Sequence, residues 1–264
     1  MNQIVQIENS DLNTKWLNYN QNRLSGDKKT ANKILNSFIN GLLQENSDII
    51  ERFVYNICQL TLDIDGNLSN NGTEVSISKN RIQYPLFKKI LLPVFVKKYK
   101  ENNPLYLRWI GQLEQFFYSE HKLTVQFLED INDRLRDAVQ FDKKSNSYKD
   151  IKYRFFETYH FFKKSYKIEP NQKTLDLLLK RLAQDIFYAT HELPFGILRE
   201  PNEFMKEIEN FKFYFEKYNN QEKWKETLHN WTFIGQHWKI YSKEKNKYEN
   251  FENYLNLNGI KNYA

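Results

Sequence analysis

Apolar side chains recur three or four residues apart through most of this chain, and few residues interrupt the pattern. One such stripe comprises Ala31, Ile34, Leu35, Phe38, Ile39 and Leu42. This spacing places the side chains on one face of an α-helix. Only 8 Gly and 6 Pro occur in 264 residues, which disfavours a fold with many tight turns between strands. We therefore predict an all-α fold of stacked antiparallel helix pairs, either α-solenoid-like or an irregular helical bundle.

Capping residues divide the first 60 residues into three predicted helices. Asn9 or Ser10 can cap the first helix, because its side-chain oxygen can accept a hydrogen bond from a free amide of the first turn. Gly26 ends this helix, Asp27 caps the second, and Ser47 caps the third. These caps and the apolar stripes between them predict an N-terminal block of three helices.

Prolines mark the helices that follow. Pro85 opens a helix that Pro93 has to kink or interrupt, and Asn103 before Pro104 opens another. Between the third helix and Pro85, the alternating polarity of residues 61–83 permits a short β-hairpin. Further helices are predicted at 150–166, 172–191, 202–218, 221–241 and 247–257.

The polar stretch at residues 142–150 is the best candidate for a boundary between two helical blocks. We predict an N-terminal block at 1–141, with a loop or hairpin at 63–83, and a C-terminal block at 150–264. The chain is long enough to bury a substantial core, and we expect the two blocks to pack as one continuous unit.

Residues 155–171 resemble the second helix of a tetratricopeptide repeat. The resemblance rests on Thr158, Phe162, Ser165 and Pro170. The next helix departs from the pattern at Asp176, Lys180 and Ala183. The resemblance therefore covers half of one repeat, and it implies stacked antiparallel helix pairs.

Residues 62–74, LDIDGNLSNNGTE, place oxygen-bearing side chains at the spacing of a calcium-binding EF-hand loop. The residues at loop positions 1, 3, 5, 7, 9 and 12 are Asp63, Asp65, Asn67, Ser69, Asn71 and Glu74. The motif also needs glycine at position 6 for a sharp turn, where Leu68 stands, and Asn70 stands at the usually apolar position 8. Asn, Asp and Ser are also the residues of ordinary turns. This pattern favours a polar loop over a calcium site, and we predict no metal and no cofactor.

Tryptophans recur every seven residues along the predicted helix at 221–241. Heptad spacing is typical of a packed seam or of a face that meets a partner. Packing is the favoured interpretation, and a partner contact is the alternative. The candidate partner-binding residues are Trp224, Trp231, Trp238 and His237.

Basic and aromatic residues alternate at 152–167, KYRFFETYHFFKKSYK, which is the best sequence argument for nucleic-acid binding. The rings also form one helical stripe, as a core-facing helix requires. The formal charge of +6 is small, and the two signs are interspersed along the chain. Nucleic-acid binding is therefore the alternative function and not the first.

Motifs that would indicate an enzyme are missing from the sequence. It contains no phosphate-binding glycine loop, no nucleophile elbow and no paired cysteines. We predict a non-catalytic protein, and an enzyme of unrecognised class is the second alternative. Its pocket would lie near His160, His191 or His237.

The expected location is the cytoplasm, without a membrane segment. The first residues have neither a basic region nor an apolar core of a signal peptide, and no run of about 18 apolar residues occurs. Cys58, the one cysteine, has no second cysteine with which to form an internal disulfide.

Two sequence segments resemble a class of bacterial proteins. They are RIQYPLFKKILLPVFVKKYKENNPLYLRWIGQLEQFFYS at 81–119 and ATHELPFGILREP at 189–201. With these, the Asn- and Lys-rich chain resembles the all-helical cytosolic immunity proteins of contact-dependent and polymorphic toxin systems. The resemblance implies that the chain neutralises a toxin by direct binding. Because this chain is basic, we expect the bound toxin domain to present an acidic or apolar surface.

Overall fold

The computed structural model describes residues 4–64, 81–119, 121–131 and 158–260. These residues are mostly helical and contain no strand, which confirms the all-α class. The chain divides into two compact units, residues 1–161 and residues 162–264. The predicted boundary loop at 142–150 lies outside the described residues, and the choice between a solenoid-like arrangement and a bundle stays a prediction.

Short helices build the first unit. They are α1 (Ser10–Leu24), α2 (Lys28–Leu42), α3 (Ser47–Cys58), α4 (Tyr84–Leu86), α5 (Leu92–Lys100), α6 (Pro104–Gln112), α7 (Glu114–Ser119) and α8 (His121–Ile131). Two π-helical turns are added to them, Gln59–Ile64 after α3 and Phe87–Leu91 between α4 and α5.

Longer helices build the second unit, which begins inside α9. They are α9 (Thr158–Ile168), α10 (Gln172–Thr190), α11 (Pro201–Phe215), α12 (Glu222–Lys243) and α13 (Phe251–Leu257), with a 3-10 turn at Lys245–Lys247. Within the described ranges of both units, no helix combines the length and the apolar character needed to cross a membrane.

Side-chain caps begin several helices where the sequence predicts them. The Asn9 side chain accepts hydrogen bonds from the amides at the start of α1, and Asp27 accepts one at the start of α2. Asn103 does the same for α6. The prediction of Ser47 as the cap of α3 is wrong. Asn46 is the last residue with an extended backbone, and its side chain accepts the hydrogen bond, whereas Ser47 is already helical.

Pro93 is accommodated by a π-helical turn and not by an end to the helix. The Leu92 amide donates to the carbonyl of Phe87, five residues earlier, and Pro93 has no amide hydrogen to donate. The wider turn Phe87–Leu91 takes up the change, and α5 continues from Leu92. The predicted kink is therefore a local change of helix type.

The π-helical turn Gln59–Ile64 occupies part of the range in which a hairpin is predicted. The range in which the sequence permits a short hairpin starts at residue 61, but residues 61–64 belong to the turn Gln59–Ile64. The Thr61 hydroxyl donates to the carbonyl of Ile57 at 2.6 Å, which keeps this stretch helical. Residues 65–80, the rest of the predicted loop or hairpin, lie outside the described residues.

An ion pair fixes the end of this turn to α6. Nη2 of Arg108 lies 2.8 Å from each carboxylate oxygen of Asp63, and Nε1 of Trp109 donates to the same carboxylate at 3.2 Å. The two charged side chains are 14% and 10% exposed, Asp63 and Arg108 respectively. A charged hydrogen bond of this kind is stronger than a neutral one, so α3 and α6 are held together at this point.

Aromatic rings fill the core of the first unit. Trp16 of α1 is fully buried, and its ring centroid lies 5.1 Å from that of Phe38 in α2 and 5.3 Å from that of Phe53 in α3. Further along, the ring of Phe87 meets that of Phe117 edge-on at 5.2 Å. Burying one such ring contributes about 1.5–3 kcal/mol to stability. These contacts explain much of the high aromatic content.

In the second unit, α10 and α12 run in the same direction. Near their starts, the Asp176 carboxylate lies 2.8 Å from Nζ of Lys223. Towards their later turns, the rings of Phe187 and Trp231 meet at 5.0 Å. Both helices therefore advance from the ion pair towards the ring contact.

Helix α11 packs antiparallel to α12. Phe211, in the last turns of α11, contacts Trp224 near the start of α12 at 5.7 Å. Phe204, at the beginning of α11, lies against Gly235 in the second half of α12. Gly235 allows this close approach, because a Cβ at that position would lie 3.2 Å from Phe204. Since α11 also packs against α10, the three helices form an up-down-up arrangement.

Several hydrogen bonds converge on Asp176. Burial raises the pKa of this carboxyl, but hydrogen bonds from Lys180, Lys223 and Tyr218 outweigh burial and leave the pKa below its ordinary value. The Tyr218 hydroxyl donates at 2.6 Å, and burial together with this bond raises its own pKa to about 12. The cluster ties the start of α10 to the start of α12 and to the turn after α11.

Candidate functional site

An open groove of about 590 Å³ lies between α10 and α12 in the second unit. Its volume falls in the range of about 300–1,000 Å³ that is usual for binding clefts. Two smaller clefts, of about 220 and 420 Å³, lie beside α3 in the first unit. The residues that line the groove are Phe187, Thr190, His191, Leu193, Glu226, Thr227, Asn230, Trp231 and Ile234.

One wall of the groove is a single stripe of α12. Thr227, Asn230, Trp231 and Ile234 are spaced i, i+3, i+4 and i+7, which brings them to one face of the helix. Trp231 and Ile234 are buried and form the apolar floor. The ring of Trp231 is also held from behind by Phe211, edge-on at 5.3 Å. Trp231 of the floor is therefore packed against rings from both α10 and α11.

The other wall is the last turn of α10. The ring of Phe187 contacts Trp231, yet 49% of this residue is exposed. The Thr190 hydroxyl donates to the carbonyl of Ile186 at 3.1 Å, so its polar group is turned to the helix. His191 follows as the C-cap, and its Nδ1 lies 2.6 Å from the carbonyl oxygen of Tyr188. This wall is mainly apolar.

The turn between α10 and α11 carries exposed aromatic side chains on a fixed backbone. Tyr188, just before the turn, is 60% exposed, and Phe195 within it is 68% exposed. The amide of Leu198 donates to the carbonyl of Ala189 at 2.8 Å. Nε1 of Trp238 donates to the carbonyl of Arg199 at 2.9 Å, which fixes the turn to α12. Exposed rings on a fixed backbone lose little conformational freedom on binding.

The charges at the groove are mainly acidic. Glu226 is exposed and forms no ion pair with any described residue. Glu192, beside the lining residue His191, lies 3.1 Å from Nε2 of that histidine. The nearby Lys223 and Lys225 are already paired, with Asp176 and Glu222 respectively. Although the whole chain is basic and its net charge predicts an acidic or apolar partner surface, the charge of this rim favours a positively charged ligand.

The structure separates the four residues predicted as a partner contact. Trp231 lines the groove. Trp224 packs on Phe211, and Trp238 packs on Phe251 at 4.9 Å. Nδ1 of His237 lies 2.8 Å from the hydroxyl of Tyr254, and burial lowers the pKa of this histidine. Of the four, Trp231 alone belongs to the groove, and the other three pack within the unit.

Sequence reasoning missed Phe187 and Leu193. They come from the end of α10 and from the turn, so no helical period connects them with Trp231. The signal that could have found them is the cluster of apolar residues at 187–198, which follows the regular stripe of α10. Exposed aromatic residues of this kind mark interaction surfaces.

The residues of the calcium-loop pattern fall in two groups. Asp63 is engaged by Arg108 and Trp109, as described above. Asp65, Asn67, Ser69, Asn71 and Glu74 lie outside the described residues. Within the ranges that the structure describes, no three His, Cys, Asp or Glu side chains converge to hold a metal ion.

The histidines named for an enzyme pocket have different surroundings. His160 packs edge-on against Phe161 at 5.5 Å, His191 lines the groove, and His237 bonds to Tyr254. Cys58 is fully buried, and burial raises the pKa of its thiol well above the ordinary value. A raised pKa disfavours the reactive thiolate.

The groove joins an apolar floor with a few polar side chains at its rim, the composition usual for ligand clefts. Comparisons of the chain with protein-family models, with curated proteins and with solved structures found no match.

Proposed function

We propose that this chain is a non-catalytic protein-binding protein that holds its partner in the groove of the second unit. The observation that carries the proposal is a set of exposed aromatic residues, Phe187 in the groove lining and Tyr188 and Phe195 in the adjoining end of α10 and turn. Aromatic residues dominate the energetic centres of protein interfaces. Completing the burial of one half-exposed phenylalanine contributes about 1 kcal/mol, and removing the whole ring from an interface centre costs about 2 kcal/mol.

In its specific form, the proposal is an immunity protein that neutralises a bacterial toxin by direct binding. This form rests on the resemblance of residues 81–119 and 189–201 to such proteins. The second segment supplies His191 and Leu193 to the groove and carries the exposed Phe195. A toxin domain that inserts an apolar segment there would be held and blocked.

Nucleic-acid binding is less well supported, because two rings of the basic segment are inaccessible. Phe161 and Phe162 are buried, whereas Lys163 and Lys167 are exposed. A ring buried in the core cannot stack on a base. The remaining positive charges at this helix form an ordinary solvated face.

Photo-crosslinking in the native cell tests the proposal. p-Benzoylphenylalanine is placed at Phe195 in one variant and at Phe213 of α11, which is also exposed, in a matched control. We expect one protein to be captured from position 195 and not from position 213. With the purified partner, Phe187→Ala should lower affinity roughly 30-fold in calorimetry, as expected of an interface centre.

Two results would contradict the proposal. One is equal capture from positions 195 and 213, and the other is an affinity that Phe187→Ala leaves unchanged. The immunity form has its own test, in which the captured toxin is co-expressed with the wild-type chain or with Phe187→Ala. Growth should be restored by the wild-type chain only, and equal growth with both would exclude neutralisation through the groove.

A further inference from the structure

We infer that the groove receives an amphipathic helix whose flank is basic, an inference that rests on the proposed function and specifies the partner. The first argument is the topology of the unit. Helices α10 and α12 are parallel, α11 is antiparallel to α12, and none of the residues lining the groove belongs to α11. A helix docked in the groove would lie against α10 and α12, and together with α11 these helices would have the arrangement of an antiparallel four-helix bundle.

The second argument concerns the backbone of the ligand. The backbone groups of the groove walls are already hydrogen-bonded, along the helix in α12 and, at the end of α10, from the amides of Leu193 and Leu198 to the carbonyls of Thr190 and Ala189. An extended segment bound there would leave its own backbone groups unpaired, since strand addition needs a free sheet edge. A helix satisfies its backbone internally and presents only side chains.

The third argument is the length of the groove wall. The stripe from Thr227 to Ile234 spans seven helical steps, about 10 Å along α12 at the usual helical rise. Two turns of a docked helix cover the same distance, and they present apolar side chains at i, i+3 or i+4, and i+7. These side chains would meet Phe187, Trp231 and Ile234.

The fourth argument is charge complementarity. Glu226 lines the groove without an ion pair among the described residues, and Glu192 follows the lining residue His191 in the chain. Thr227 and Asn230 also have side chains without a hydrogen bond to any residue that the structure describes. A lysine or arginine on the flank of the docked helix would pair with these carboxylates.

A phage-displayed library of helical peptides, selected on the purified full chain, tests this inference. We expect enrichment of peptides with apolar residues three and four positions apart and with lysine or arginine beside them. In fluorescence anisotropy, Phe187→Ala should weaken the best peptide by roughly 30-fold. Glu226→Lys should weaken it by about fivefold, as an exposed ion pair allows, and Phe213→Ala should leave it unchanged.

Several outcomes would overturn the inference. They are a selection without enrichment, enrichment of acidic or extended peptides, and binding that survives both groove substitutions. Light scattering that shows a dimer lost in Phe187→Ala would make a second copy of this chain the occupant. If position 195 captures a partner whose docked segment is extended or acidic, this inference fails while the proposed function stands. If helical basic peptides bind but no partner is captured in the cell, this inference stands while the proposed function fails.

Discussion

Replacing Asp63 with alanine should destabilise the first unit by about 3 kcal/mol. The Asp63 carboxylate ends the π-helical turn Gln59–Ile64 and accepts hydrogen bonds from Arg108 and Trp109 of α6. Removing it leaves a nearly buried guanidinium without its counter-charge. Nε of Arg108 already lacks a hydrogen bond within the described part of the chain, so the variant removes the side-chain partner that the structure shows for this guanidinium.

The magnitude follows from the burial of the pair. Breaking a buried ion pair by removing one partner costs about 3–5 kcal/mol. Since Asp63 and Arg108 keep 14% and 10% of their side-chain surface in water, the lower end of that range applies. In a unit of this size, such a loss lowers the melting temperature by roughly 6–12 °C.

Urea unfolding followed by circular dichroism measures the effect. The matched control is the double variant Asp63→Leu with Arg108→Met, which removes both charges together. It should recover most of the lost stability, because an apolar pair of similar volume needs no desolvated charge. A loss below about 1 kcal/mol in Asp63→Ala, or a double variant as unstable as the sum of the singles, would refute this reasoning.

Three further predictions concern other contacts. Gly41→Ala should destabilise the first unit by about 1–2 kcal/mol in urea unfolding, because the new Cβ would lie 2.7 Å from buried Leu12; a stability gain would contradict this. The lowered pKa of Asp176 means that its stabilisation is complete above an ordinary pKa of about 3.9 and is lost as pH falls through the folded value. Asp176→Asn should therefore be less stable than wild type near pH 7 and equal to it near pH 2, and a pH-independent difference would exclude this origin. Millimolar calcium should leave the thermal midpoint of unfolding unchanged, because Arg108 engages both carboxylate oxygens of Asp63. A higher midpoint with calcium would support a calcium site at 63–74.

Helix ends were predictable where the signal is local. Asn9, Asp27 and Asn103 each precede an apolar periodic segment, and each side chain accepts an amide hydrogen bond of the first turn. At α3 two good caps stand side by side, so the sequence does not decide between Asn46 and Ser47. Asp63 in the π-helical turn Gln59–Ile64 pairs with Arg108, far along the chain, and no short-range period indicates this contact.

The groove was predictable only in part. The heptad spacing of the tryptophans placed Trp231 on a packed face, which is where it lies. Periodicity does not show which ring of an apolar stripe stays in water, because that depends on where two helices diverge. Phe187 touches Trp231 and is still half-exposed, since α10 ends there and the chain turns away.

The π-helical turn at Phe87–Leu91 has a consequence for insertions and deletions. Such a turn contains one residue more than an α-helical turn. Deleting one residue from it would rotate Leu86 by about 100° around the helix axis relative to α5, given 3.6 residues per turn. Leu86 and Phe95 are both buried, so the rotation would move one of them out of the core unless Pro93 changed as well. In descendants of a common ancestor, a one-residue gap here and the loss of this proline should therefore occur together.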